Sequence, residues 1–255
     1  YYGIDFVYRG QTEPQVSAVQ TSTDGAVYSL GEFKERLKPY RGLYEEAVEK
    51  HKDETDSGTY VIPGLKATMT VRGNRDRKAS VCGGMTPQGI TVSDKYLFIS
   101  AYCHTKTHNS VIYVIDKETH EFLKELVLPN KAHVGSLAYD DEYHNLWVCG
   151  SRNGVAQVNA ISAEEIEAYH FTEEYRPIRF LHVNNILDIP RSSFMTYDHS
   201  YLYVGYYSTK GNGMIKKYEL QDDGNIQSVR VEYDGQHSRQ GVADEDDLEI
   251  SRYAQ

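Results

Sequence analysis

The stretch Thr86–His133 decides the reading of this chain. It runs T-P-Q-G-I-T-V (86–92), a turn at Ser93-Asp94-Lys95, Y-L-F-I-S-A-Y (96–102), a polar loop from Cys103 to Asn109, S-V-I-Y-V-I-D-K-E-T-H (110–120), E-F-L-K-E-L-V-L-P (121–129) and N-K-A-H (130–133). Short runs rich in β-branched and aromatic residues, each bounded by turn residues, read as strands. After the fourth run the pattern starts again at His133. A four-strand unit that restarts after its fourth strand is the pattern of a propeller blade.

Working outward, the turn aspartate Asp94 aligns with Asp140 and Asp198, and Leu97 then aligns with Leu146 and Leu202 at the start of the second strand. Ser100, Cys149, Gly205 and Ser251 fall at one aligned position, always small, which close packing of one sheet on the next requires. On this reading Cys149 is a buried packing residue and not a nucleophile. Tyr102, Ser151, Tyr207 and Tyr253 sit two residues further on. The interval from Asp140 to Asp198 is longer than that from Asp94 to Asp140, and Ile161–Tyr169 supplies the excess as an inserted helical turn or two, with Ser162 as N-cap and acidic residues in the first turn. The third copy continues with M-I-K-K-Y-E-L (214–220), a turn at Gln221–Gly224 and N-I-Q-S-V-R-V-E-Y (225–233). A fourth begins at Arg239-Gln240-Gly241-Val242 and reaches Ile250-Ser251-Arg252-Tyr253.

The run from Phe98 through Val148, and Val111–Leu128 most specifically, resembles the repeat of the YVTN or YncE-like β-propellers. The resemblance covers about residues 86–255 and implies an all-β propeller of four-stranded blades, six or seven when complete. Three complete copies and the start of a fourth are legible. The expectation is therefore that residues 1–85 supply degenerate blades or a rim, or that the chain is a fragment. Within 1–85, the chain to Leu30 is strand-like. Phe33, Leu37, Tyr40, Tyr44 and Val48 then fall on one helical face, which Pro39 divides into two helices. Asp53–Gly58 reads as a turn, Thr59–Val71 as strand and Arg72–Gly84 as loop.

At 255 residues, with 40% hydrophobic and 25% charged residues, the chain has the composition of an ordinary globular protein able to bury a sizeable core. No apolar run approaches the about 18 residues of a membrane helix. A formal net charge of −10 argues against nucleic acid as a partner, because neutralising phosphates needs a basic face. The three cysteines, Cys82, Cys103 and Cys149, read as too few and too scattered for a disulfide framework or a zinc site, although one pair could form. Tyr is abundant at 22 residues, against seven Phe and one Trp, and suits half-exposed strands and binding surfaces. The chain begins at Tyr1 without Met, from which we expect a removed leader or upstream segment and an extracellular or cell-envelope location.

In a propeller, the loops entering the innermost strands rim the central channel. The residues at that point are Gln88, His133, Arg191, Ser192, Arg239 and Gln240, and this mouth is the expected ligand site. Two arginines and a histidine there suit a carboxylate or other anion. The pair His104-x-x-x-His108 lies in a loop, where the spacing has none of its helical meaning, so it reads as surface and no metal ligand is assigned. Some lactonases of similar architecture hold a divalent cation in the channel through a Glu, an Asn and an Asp. The four restarts here carry Gln, His, Ser and Gln instead, and only Asn184, Asn185 and Asp188 lie near enough in sequence to reach the channel. The leading expectation is thus a non-catalytic binding propeller for a small anionic ligand, a glycan or a protein, with no cofactor. The alternative is a metal-dependent lactonase-type hydrolase, with calcium as its cation.

Overall fold

A computed structural model of the chain describes residues 30–50, 62, 65, 67–72, 78–171 and 175–227. The strand-like reading of 1–29, the turn at 53–58 and the fourth copy, with Arg239 and Gln240, lie outside the described residues. What is described is all-β, with little helix. Helix α1 (Leu30–Leu37) and helix α2 (Arg41–Tyr44), which continues into a π-helical turn at Glu45–Glu49, divide at Pro39 as expected. Leu37, Tyr44 and Val48 are half-buried, whereas Tyr40 is exposed.

Three antiparallel meanders follow a two-stranded hairpin. The hairpin pairs β1 (Thr68–Val71) with β2 (Ala79–Cys82). The first meander is β3 (Met85–Val92), β4 (Tyr96–Cys103), β5 (Val111–Asp116) and β6 (Phe122–Val127), in that order across the sheet. The second is β7 (Leu137–Asp140), β8 (Asn145–Arg152), β9 (Val155–Ser162) and β10 (His182–Ile186). The third has β11 (Phe194–Asp198), β12 (Tyr201–Tyr206) and β13 (Met214–Glu219). Strand β2 corrects the loop expected over Arg72–Gly84: Ala79-Ser80-Val81-Cys82 is short, but pairing with β1 satisfies its backbone.

The turns follow from their residues. Asp116 Oδ1 accepts the N–H groups of Glu118 and Thr119 between β5 and β6, and Asp140 Oδ1 does the same for Glu142 and Tyr143 between β7 and β8. Between β8 and β9, Asn153 (φ 52°) and Gly154 (φ 80°) form a two-residue loop with both residues left-handed, the geometry that matches strand twist. Register bears on the alignment directly. Leu97, Leu146 and Leu202 pair with Val92, Tyr139 and Tyr197 in the three sheets.

The sheets stack face to face. Alternation along β8 sends Leu146 and Val148 into an apolar layer shared with the first sheet and the hairpin, and sends Trp147 and Cys149 into a second layer shared with the third sheet. The first strands of successive sheets approach at backbone distance. A Cβ on Gly89 would lie 2.7 Å from Ser136 Cα, and one on Gly135 would lie 2.7 Å from the Ser193 carbonyl oxygen. Ser100 Oγ accepts the Gly89 N–H at 2.9 Å and donates to the Val134 carbonyl at 2.8 Å, so its small size serves a cross-sheet bond. Gly205 is small for another reason, because the ring of its cross-strand partner Phe194 covers it.

The insertion between β9 and β10 forms helix α3 (Ala163–Ala168), with Ser162 Oγ accepting the Glu165 N–H as expected. It reaches back to the first sheet. Lys124 of β6 donates to the carbonyls of Ile166, Glu167 and Tyr169, and the Ile178 N–H bonds the Val127 carbonyl. The outer edge of β6 is thereby partly covered.

Candidate functional site

Of the expected channel-mouth residues, four are described. Gln88 sits on β3 at a bulge between Pro87 and Ile90, exposed, with its side-chain amide donating to the Pro87 carbonyl. His133 lies in the segment entering β7, with its ring 4.4 Å from that of Tyr102. Desolvation, and then the Lys106 charge, hold its pKa below the ordinary histidine value, so it is largely neutral at pH 7. Arg191 is exposed in the segment before β11. Ser192 beside it donates to the carbonyls of Gly150 and Gln157, which ties this segment to β8 and β9. Arg191 is therefore the permanent charge of the described set, and Ser192 is occupied structurally.

Asn184 and Asn185 belong to β10, the strand of its sheet furthest from β7, and not to a loop. Asn184 donates to Asn225 and Asn185 accepts from Gln157, while Asp188 accepts the Tyr218 hydroxyl at 2.8 Å.

Two groupings escaped the sequence reading. The first is a cavity of about 260 Å³ between the β3–β4 turn and α3, lined among others by Asp94, Tyr96, Phe98, Tyr139, His144 and Glu167. Phe98 and Tyr139 stack across the two sheets, with centroids 6.2 Å apart. The Tyr96 hydroxyl donates to Glu167 at 2.7 Å, and that bond to a carboxylate, with burial, pushes the phenol pKa up to about 12. One signal was available, since the turn residues of the first unit and the inserted helix are both polar and aromatic, but only the fold brings them together.

The second grouping is Cys82, Cys103 and His108, all buried, with ligand atoms within 4.8 Å of one another. His108 is 1% exposed and not a surface residue, whereas His104 is exposed as expected. The three sequence positions look scattered because only the pairing of β3 with β4, which sets Met85 against Cys103, carries Cys82 to the end of β4. The Cys103 thiol is held far below its ordinary pKa, chiefly by hydrogen bonding from Cys82, against an opposing contribution from burial and with further bonds from His108, Thr105 and Thr107. Cys149 is the opposite case. It is 1% exposed in the layer between the second and third sheets, and burial pushes its pKa up to about 12, as suits an inert packing thiol.

Comparison with protein-family models and with curated proteins gives no match to this chain. No described helix is long and apolar enough to cross a membrane.

Proposed function

We propose that the three meanders are blades of a β-propeller of the YVTN type, and that the protein is a non-catalytic binding module whose ligand is a glycan. Face-to-face stacking of consecutive meanders and the close approach of their first strands support the propeller reading. So does the exposure of alternate residues on those strands, Gln88, Ile90 and Val92 on β3 and Phe194, Thr196 and Asp198 on β11, as in strands that line a channel.

The binding reading is carried by the cavity beside α3. Tyr96 and Tyr139, both part-exposed, offer aromatic walls, and Asp94, His144 and Glu167 offer polar groups at its edges. Aromatic walls with a few placed polar groups suit a sugar ring, which has an apolar face and a hydroxylated rim. Acids at the edge disfavour an anion here. The mouth around Arg191 is the place where an anionic ligand would bind instead. The lactonase-type alternative draws no support from Asn184, Asn185 and Asp188, whose polar groups pair elsewhere.

The test is a glycan panel followed by amide chemical-shift mapping. A bound sugar should shift resonances around Tyr96, Tyr139 and His144, and Tyr139→Ala should weaken binding about five- to tenfold, the worth of one aromatic contact. Shifts confined to Gln88, His133 and Arg191 with a dicarboxylate, and none with sugars, would move the site to the mouth and overturn the glycan assignment.

A further inference from the structure

The Cys82–Cys103–His108 cluster lies at a junction of three segments. Cys82 ends β2, Cys103 ends β4 and His108 lies in the loop entering β5. That loop is fixed against β1, since Arg72 and His108 form an isolated antiparallel bridge and the Asn109 N–H bonds the Val71 carbonyl. The donor atoms are therefore set by backbone pairing and not by side-chain reach alone.

His108 Nδ1 stands 3.5 Å from Cys103 Sγ. Two ligands on a tetrahedral zinc ion, with Zn–S about 2.3 Å and Zn–N about 2.0 Å, are themselves about 3.5 Å apart. The other ring nitrogen, Nε2, lies 3.3 Å from Ser80 Oγ, a partner that orients the ring as the outer partners of metal-bound histidines do. Nδ1 faces the sulfur and the Thr107 hydroxyl at 3.0 Å, a contact the ion would replace. Thr105 and Thr107 hydroxyls lie 3.2 and 3.6 Å from Cys103 Sγ, placed to stabilise a thiolate. No disulfide joins the described cysteines. Two sulfurs and one imidazole nitrogen form a donor set that suits a thiophilic ion and not calcium or magnesium.

We infer that Cys82, Cys103 and His108 bind one zinc ion, which staples the β1–β2 hairpin to the first sheet. Three protein ligands leave one position of the tetrahedron for water. Zinc takes both sulfurs as thiolates, so a thiol that still carries its proton releases it to solvent on binding, and no change of oxidation state is needed.

The experiment uses the full chain, reduced and stripped of metal, titrated with cobalt(II) as a spectroscopic stand-in. One equivalent should produce thiolate-to-cobalt charge-transfer absorption, which one equivalent of zinc then abolishes. Zinc should also raise the thermal midpoint by several degrees. Cys103→Ser and His108→Ala should lose the charge-transfer bands, while Cys149→Ser keeps them, with near-ultraviolet circular dichroism confirming that each variant is folded. The wild-type titration stands even where a variant does not fold. Absence of thiolate bands in the wild type with its three thiols reduced would overturn the site, and so would a Cys82–Cys103 disulfide that persists in reducing buffer. An unchanged spectrum in folded His108→Ala would remove the histidine from the ligand set and overturn the assignment as drawn.

Discussion

Asp140 ends β7 with no exposed surface, and its carboxyl has two opposing demands on it. Burial favours the neutral form and raises its pKa, while the Tyr143 and Glu142 N–H groups, with Trp147, favour the charged form and only partly offset this. With the folded pKa above the unfolded value, the folded state holds its proton more tightly. The stability this group contributes is thus fully present below the unfolded pKa, about 3.9, and is lost as pH rises through the folded one. Asp140→Asn keeps an oxygen for the two turn N–H groups and has no such titration. Its stability relative to wild type should therefore rise between about pH 3 and about pH 7, as followed by urea unfolding at a series of pH values. Parallel curves for the two proteins would refute this. The aspartate's place in a turn was readable from the alignment of Asp94, Asp140 and Asp198. Its burial was not, because only the stacking of a neighbouring sheet removes it from water.

At the scale of strands and helices, the turn chemistry and hydrophobic runs of β4, β5 and β8 were legible, and so was α3 with its Ser162 cap. These depend on residues near one another in sequence. Strand β2 was hidden by the charged stretch Arg72–Lys78 before it, and the Cys82–Cys103–His108 cluster was hidden with it. The cavity beside α3 has the same history, since a turn of one sheet and a helix following a strand of another form its walls. Gly89 is the element-scale feature with the sharpest consequence. The position its Cβ would occupy is bounded by backbone atoms of Ser136 and Leu137, at 2.7 to 2.9 Å, which cannot rotate aside as a side chain could. Gly89→Ala should push β3 from β7 and cost about 1–3 kcal/mol, the usual range for overpacking. Gly84→Ala, whose Cβ would meet nothing within 4 Å, is the control for a general glycine effect. Equal midpoints for the two variants in urea would show that the sheets do not meet there as described.

Across the whole molecule, each sheet is a meander of strands adjacent in sequence, so most pairing is local while the apolar layers between sheets are not. Protection should then track burial by neighbours. Amides of β5, whose first five residues are buried, and of β8, covered on both faces, should exchange slowest with solvent. Amides of β10 and β11, each with a single buried residue (Ile186 and Met195), should exchange faster, as hydrogen exchange read by mass spectrometry would reveal. The reverse order would mean that the stability of the middle sheet does not come from its neighbours. That sheet also holds the chain's one tryptophan, Trp147, fully buried and stacked on His182 with centroids 6.3 Å apart. The molecule thus carries a single tryptophan whose emission can be excited selectively over that of the tyrosines; it sees the middle sheet and is far in sequence from Cys82 and Cys103. Emission from Trp147 and alkylation of Cys82 and Cys103 form two separate clocks on one chain. Run together in a refolding experiment on Cys149→Ser, whose remaining thiols are Cys82 and Cys103, they time the docking of the hairpin against the closing of the core.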